Sequence, residues 1–217
     1  MTARILATSP DAPDAAVLAE AADALRAGEV IGIPTDTVYG LAVDPWRPGA
    51  AERVFVIKRR PRRIVLPVLV ADEAQALSLA AEVSADARRL MALWWPGPLT
   101  IVVARRPGLG AELGTESGTV GLRRPAHAVP VALAASVGPL ATTSANAHGQ
   151  PPVTGAAELA ATLPGVAVVI DAGERRGAPS TVVDCSGGGL RLLRPGSITW
   201  DRVLASLGLP GGPGRPT

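Results

Sequence analysis

Residues 30–41 read VIGIPTDTVYGL. Val30 to Pro34 is a short uncharged run with the length and composition of a buried strand. It passes directly into PTDTVYG, a turn carrying two hydroxyls, a carboxylate and a glycine. Loops at the ends of strands are where α/β proteins place ligand contacts. Thr35, Asp36 and Thr37 therefore form either a ligand-facing turn or an ordinary one in which Asp36 bonds its own backbone.

Outward from this stretch, helical and strand periods alternate. Asp14 to Gly28 repeats Ala, Val and Leu at helical spacing and ends on a glycine, and Gly49 to Lys58 is a second helix. Leu66 to Ala71 has the pattern of a buried strand. Asp72 and Ser84 are placed to cap helices running to about Val83 and to Trp95, the latter stopped by Pro96 and Pro98. Strands are expected at Leu99–Ala104, Gly118–Arg123, Pro139–Thr142, Val166–Asp171, Thr181–Cys185 and Leu190–Leu193. Helices are expected at Ala128–Val137, Thr154–Leu163 and Thr199–Leu207. Connections of such varied length predict an α/β domain around one mixed sheet. Residues 1–207 are expected to form this single domain, with 208–217 a mobile Gly/Pro tail.

Of 217 residues, 47% are hydrophobic and 18% charged, with a net charge of +2, which excludes a disordered chain. Cys185 is the only cysteine, so neither a disulfide framework nor a cysteine-based zinc site fits within one chain. The N-terminus has no apolar stretch before a small-residue cleavage site, and the uncharged run from Pro125 to Ala157 is broken by Pro130, Gly138 and Pro139. The expectation is a soluble, cytoplasmic protein with no membrane partner.

The charges are unevenly placed. Of 21 Lys and Arg residues, Lys58 is the one lysine, and five cations fall in Lys58-Arg59-Arg60-Pro61-Arg62-Arg63. Outside that run, acids slightly outnumber bases. The run is either an anion grip at a helix end or a solvated basic face. A lysine kept in so arginine-biased a chain points to a need for a compact ammonium. Ala141-Thr142-Thr143-Ser144-Ala145-Asn146 follows an apolar strand and offers small donors and acceptors, either to a ligand or as a turn or cap. Strand alternation puts Thr119, Gly121 and Arg123 on one face, facing a common cavity, and Arg124 on the other, in solvent. Ser180 before a strand and Arg194-Pro195-Gly196 after another complete the set. His127 and His148 have no partners for a metal pair, and Trp94-Trp95 has the character of core. Neither GxxxxGK[ST] nor GxGxxG after a strand occurs.

In their order along the chain, PTDTVYGL, KRRP, WPGPLTIVV, TVGLRRP, TSAN, PSTVVD and LLRPG resemble the YrdC-like family of L-threonylcarbamoyladenylate synthases, from about Ala15 to Trp200. The resemblance implies an open twisted α/β sheet with flanking helices and a large basic concave cavity, in the short single-domain form. It implies a nucleotidyltransferase that makes threonylcarbamoyl-AMP and pyrophosphate from L-threonine, bicarbonate or CO2, and ATP with Mg2+. A partner transferase of the Kae1/TsaD type would then modify adenosine in tRNA. By position, Thr37, Arg123, Thr142 and Ser180 match the L-threonine contacts. Lys58 and Arg60 match a catalytic K-x-R pair at the ATP phosphates. Thr119, Ser144, Asn146, Pro152 and Arg194 match nucleotide contacts, with Mg2+ near Ser144 and Asn146. Two positions depart from the pattern: Ile64, where members often carry Asn or Lys, and Leu69, where some carry His. Two alternatives stand beside this. One is a non-catalytic double-stranded RNA or tRNA-binding module, with weak RNA binding through the basic surface. The other is a carbamoyl-AMP-forming carbamoyltransferase relative, whose CxxC zinc modules a single cysteine does not provide.

Overall fold

The computed structural model describes residues 3–59, 61, 64–115, 118–147 and 149–210. The strands are β1 Arg4–Ala7, β2 Val30–Ile33, β3 Gly40–Val43, β4 Val68–Leu69, β5 Ala80–Glu82, β6 Leu99–Arg105, β7 Thr119–Arg123, β8 Leu140–Ser144, β9 Val166–Asp171, β10 Thr181–Asp184 and β11 Arg191–Arg194. The helices are α1 Ala15–Arg26, α2 Ala50–Lys58, α3 Glu73–Leu79, α4 Ala85–Trp94, α5 Ala128–Val137, α6 Ala156–Thr162 and α7 Trp200–Ser206. Among the described residues the strands form one mixed sheet in the order β1-β9-β2-β3-β8-β4-β7-β6-β10-β11, with β5 on the side of β6.

The helix ends follow from local chemistry. Asp14 accepts the Ala16 and Val17 N–H groups at the start of α1, Ser84 accepts from Ala87 in α4, and Thr199 from Arg202 in α7. Arg59 ends α2 in the left-handed region at φ 50°, turning the chain sharply away from Lys58. Alternating strand residues feed two cores. Ile31, Ile33, Ala42 and Leu69 pack with Leu25 of α1 and Leu133 of α5. Val30, Leu41, Val43 and Val68 face the other way, towards Val54, Leu90 and Leu159 of α2, α4 and α6.

Four expectations change. The helix capped by Asp72 stops at Leu79, because Ala80–Glu82 pairs antiparallel with β6 as β5. An AAEV run suits either period, and the available strand edge decides. β3 lies partly within the stretch expected to be a loop, so 34–39 is the loop of a β2–β3 hairpin. β1 was not foreseen, since four mostly exposed residues give no periodic signal. Arg124 is half-buried rather than solvated, and its Nε finds no hydrogen-bond partner among the described residues. Residues 211–217 of the expected tail, together with Arg60 and His148, lie outside the described residues. No helix among the described residues is long and apolar enough to cross a membrane.

The link from β9 to β10 spans most of the sheet. These strands are seven steps apart, roughly 34 Å across a flat sheet at about 4.8 Å per step. The link itself, residues 172–180, has neither helix nor strand, and ten residue steps reach at most about 33–36 Å. It must therefore cross the sheet end almost directly, as a strap drawn over the β2–β3 loop. Gly177 N–H donates to Thr37 O at 3.1 Å, and Arg175 N–H to Thr154 O at 2.8 Å.

Gly177 has no room for a side chain: a Cβ would stand 2.6 Å from Thr37 O. Gly177→Ala is expected to lower stability by about 1–3 kcal/mol in urea unfolding. Gly188→Ala, where a Cβ meets open space, should change it by less than about 0.5 kcal/mol. Equal effects would mean the strap yields freely.

His127 caps α5, its Nδ1 accepting from Val129 N–H at 3.2 Å while Arg175 Nη2 lies 2.7 Å from Nε2. Burial, then the Arg175 charge, push its pKa down to about 4. Between about pH 6.5 and 4 the unfolded chain takes up a proton that the folded one refuses, so this contribution is complete above 6.5 and lost as pH falls. The urea midpoint should drop more steeply across that window in the parent than in His127→Asn, which keeps a capping acceptor. Parallel slopes would refute it.

Candidate functional site

The strand ends that meet beneath the strap enclose a cavity of about 260 Å³. The β2–β3 loop brings Thr37 and Val38, the end of β7 brings Arg123, and β8 brings Thr142, Thr143 and Ser144. Asn146 and Pro152 follow on the next loop, Leu69 comes from β4, Ser180 from the end of the strap just before β10, and Arg194 from β11. Register explains the meeting. Gly40 pairs with Ser144 and Leu69 with Arg123, so four strands deliver their loops to one end of the sheet. Among the described residues its lining includes two arginines and no carboxylate. A larger cavity of about 740 Å³ lies against α2, with Glu52, Arg53 and Arg59 beside Val56, Ile57 and Leu163, but these charged residues all come from α2 and its C-cap rather than from converging strand ends. The smaller one is the candidate site.

Arg123 is 6% exposed, and its guanidinium is held from three sides. Nε donates to Gly97 O at 3.0 Å, Nη1 to Thr37 Oγ1 at 3.1 Å, and Nη2 to Asp36 Oδ1 at 2.6 Å. Burial draws its pKa down, the Asp36 charge and hydrogen bond oppose that, and Arg194 adds repulsion. Arg194, at the rim, donates through Nε and Nη2 to Ser180 O and through Nη2 to Ser180 Oγ at 2.9 Å. Ser180 Oγ in turn lies 2.9 Å from Thr100 Oγ1. Each arginine is thus paired with one hydroxyl in the cavity.

Lys58 stands beneath the site rather than on its lining. It is 2% exposed, and its ammonium donates to Ser144 O at 2.5 Å, Asn146 O at 2.6 Å and Asn146 Oδ1 at 2.9 Å. Asn146 Oδ1 also accepts from Ser144 Oγ at 2.6 Å, while Nδ2 donates to Ala147 O and Gln150 O. The loop is therefore fixed by one buried ammonium, and the Ser144 hydroxyl turns lone pairs, not its proton, towards the cavity.

Of the residues singled out from sequence, Thr35, Thr37, Leu69, Arg123, Thr142, Ser144, Asn146, Pro152, Ser180 and Arg194 share this lining. Thr119 begins β7, four residues before Arg123, and is not among the lining residues; Ile64 is half-buried and also apart from them. Arg60 falls outside the described residues. Thr143, part of the stretch 141–146, also lines the cavity, and Thr100 lines it without having been singled out. Strand alternation could have found Thr100 within LTIVVA, but nothing in the sequence says which face meets the cavity.

The family model for Sua5, YciO and YrdC proteins, described as telomere recombination, matches residues 23–196. A Mycobacterium tuberculosis relative is 38% identical over 194 residues, which are 88% of this chain and 89% of that one. A Bacillus subtilis relative named threonylcarbamoyl-AMP synthase is 36% identical over 195 residues, but this chain spans only 56% of its length. The structure of Pyrococcus abyssi Sua5 complexed with L-threonine matches with a TM-score of 0.86 and 32% identity, over 94% of this chain and 61% of that one. Escherichia coli YciO shares the fold, with a TM-score of 0.85 at 24% identity over its whole length. With the sheet, the cavity and these matches in agreement, the chain belongs to the Sua5/YciO/YrdC family.

Proposed function

We propose that this protein is an L-threonylcarbamoyladenylate synthase, joining L-threonine, bicarbonate or CO2, and ATP into threonylcarbamoyl-AMP with release of pyrophosphate. The observation that carries the proposal is the convergence of Thr37, Arg123, Ser144, Ser180 and Arg194 on one cavity with no lining carboxylate among the described residues. Relatives named threonylcarbamoyl-AMP synthase and a family structure complexed with L-threonine support it.

The residue types suit the chemistry. The threonine amine adds to CO2, losing a proton and forming a carbamate. A carbamate oxygen then attacks the α-phosphorus of ATP, and the bond to the β,γ-diphosphate breaks to release pyrophosphate. Neither step demands a protein nucleophile, only two anions held close while charge develops on the leaving group. In this reading Arg123 receives the threonine carboxylate, with Thr37, Thr142 and Ser180 around the rest of the amino acid. Arg194, Ser144, Asn146 and Pro152 take the nucleotide, joined by Arg60 and Thr119. Lys58 works by holding the Ser144–Asn146 loop. A volume of about 260 Å³ holds the reacting groups, and the rest of a nucleotide would extend past the rim.

The donor set fits a Mg2+ that arrives on ATP. No cluster of three or more His, Cys, Asp or Glu side chains suited to a metal occurs among the described residues. Asn146 Oδ1 already receives the Lys58 ammonium, which leaves Ser144 Oγ as the oxygen to meet a phosphate-bound ion. When bound, that ion would neutralise phosphate charge. The adenylate product is hydrolysed readily, so a transferase acting on tRNA must consume it promptly, which is the partner this function requires.

Pyrophosphate release is expected only when L-threonine, bicarbonate and ATP are all present, with threonylcarbamoyl-AMP detected by mass. Release that proceeds equally without threonine would end the proposal. Lys58→Arg keeps the charge, but a planar fork does not fit three converging carbonyl oxygens. Turnover is expected to fall at least about ten-fold. Unchanged steady-state kinetics would show that the loop does not need a compact ammonium.

A further inference from the structure

The hydroxyls of the β2–β3 loop form a chain whose direction is fixed. Arg123 Nη1 is a donor only, so Thr37 Oγ1 must accept from it. Thr35 Oγ1 gives its own proton to Val38 O at 2.7 Å. The 2.9 Å contact between Thr35 Oγ1 and Thr37 Oγ1 therefore takes the Thr37 proton. At Ser180 no such direction is set, because either partner in its contact with Thr100 can donate. The second lone pair of Thr35 Oγ1 is shared by the Thr37 and Val38 N–H groups, at 3.1 and 3.2 Å, so it pins the backbone as well as the proton. Asp36 anchors the other end at the Arg123 guanidinium, with both side chains largely buried, Arg123 at 7% and Asp36 at 13% exposed.

We infer that Thr35 and Asp36 are positioning residues that make Thr37 Oγ1 an obligatory hydrogen-bond acceptor beside the donor face of Arg123. The amino-acid subsite then demands a carboxylate with an N–H or O–H donor on the same molecule. Asp36 is not among the lining residues, and Thr35, which is, acts here through Thr37 rather than by a contact of its own. Thr37 Oγ1 has one lone pair left after Arg123, and its proton is already committed, so it repels a second acceptor. This rests on the amino-acid reading of the cavity and deepens it, since it states which polarity of ligand group is admitted and which residues impose it.

The test is steady-state pyrophosphate release with each substrate varied in turn. Thr35→Val and Asp36→Ala should each raise KM for L-threonine at least about ten-fold while KM for ATP stays within about two-fold. Thr35→Ser and Asp36→Asn, which retain the oxygen, should return to within about three-fold of the parent. Loss of packing alone would move both KM values and would not be rescued by the conservative changes. Should the severe variants fail to fold, the parent protein supplies the second measurement. Two competitors each lack one donor of L-threonine: 3-hydroxybutyrate has no amine, and O-methyl-L-threonine has no hydroxyl proton. At least one should compete about ten-fold or more weakly than L-threonine competes for the site. Joint shifts in both KM values, no shift in either, or two competitors as good as L-threonine would each overturn the inference. A parent that releases pyrophosphate without threonine would instead overturn the synthase proposal and this with it.

Discussion

A guanidinium taken out of water must find its hydrogen bonds in the protein, and Arg123 finds them in three pieces of chain that are distant in sequence. Gly97 O belongs to the turn after α4, Asp36 and Thr37 to the β2–β3 loop, and Arg123 itself to the end of β7. Gly97 N–H donates back to Arg124 O, so that turn is tied from both directions. Removing one partner of a buried pair of this kind typically costs about 3–5 kcal/mol, because the other charge is left stranded. The geometry of the Thr37 side of the cavity follows from this one requirement.

Lys58 does the same for the Ser144–Asn146 side by different means. Its ammonium has three N–H groups and meets three oxygens from Ser144 and Asn146. A basic run that reads as a surface feature thus begins with a cation used internally, while Arg59 turns the chain out of the helix immediately after it. The strap 172–180 supplies the third constraint. Gly177 lies against Thr37 O, and a Cβ on Gly196 would stand 2.3 Å from Pro179 O, so the strap fits between the loop beneath it and the turn that carries Arg194. Glycine is required at both positions by backbone approach.

The elements with strong local signals were legible. α5 spans Ala128–Val137 and β9 spans Val166–Asp171, as their periods and end residues dictate. Asp14, Asp72, Ser84 and Thr199 cap the helices they precede, because a side-chain oxygen beside free N–H groups needs no tertiary help. β1, β3 and β5 were not legible: β1 is mostly exposed, β3 follows directly on a turn motif, and the run at Ala80 suits a helix equally well, so each is defined by the neighbour it pairs with. Much of the candidate site could be named from its motifs and their family resemblance. The role of Lys58 as a clamp under the loop could not, and neither could the half-buried place of Arg124.

The sequence by itself determined the α/β class, the helix N-caps, the concentration of cations after α2, and the set of hydroxyl and amide loops that follow strands. These are local properties, carried by composition, period and capping within a few residues. Only the tertiary structure decided which loops meet, that Asp36 lies against Arg123, and in which direction the Thr37 hydroxyl points its proton. Such facts depend on strand order and register, which join residues 86 or 87 positions apart, and no local pattern encodes a pairing over that distance.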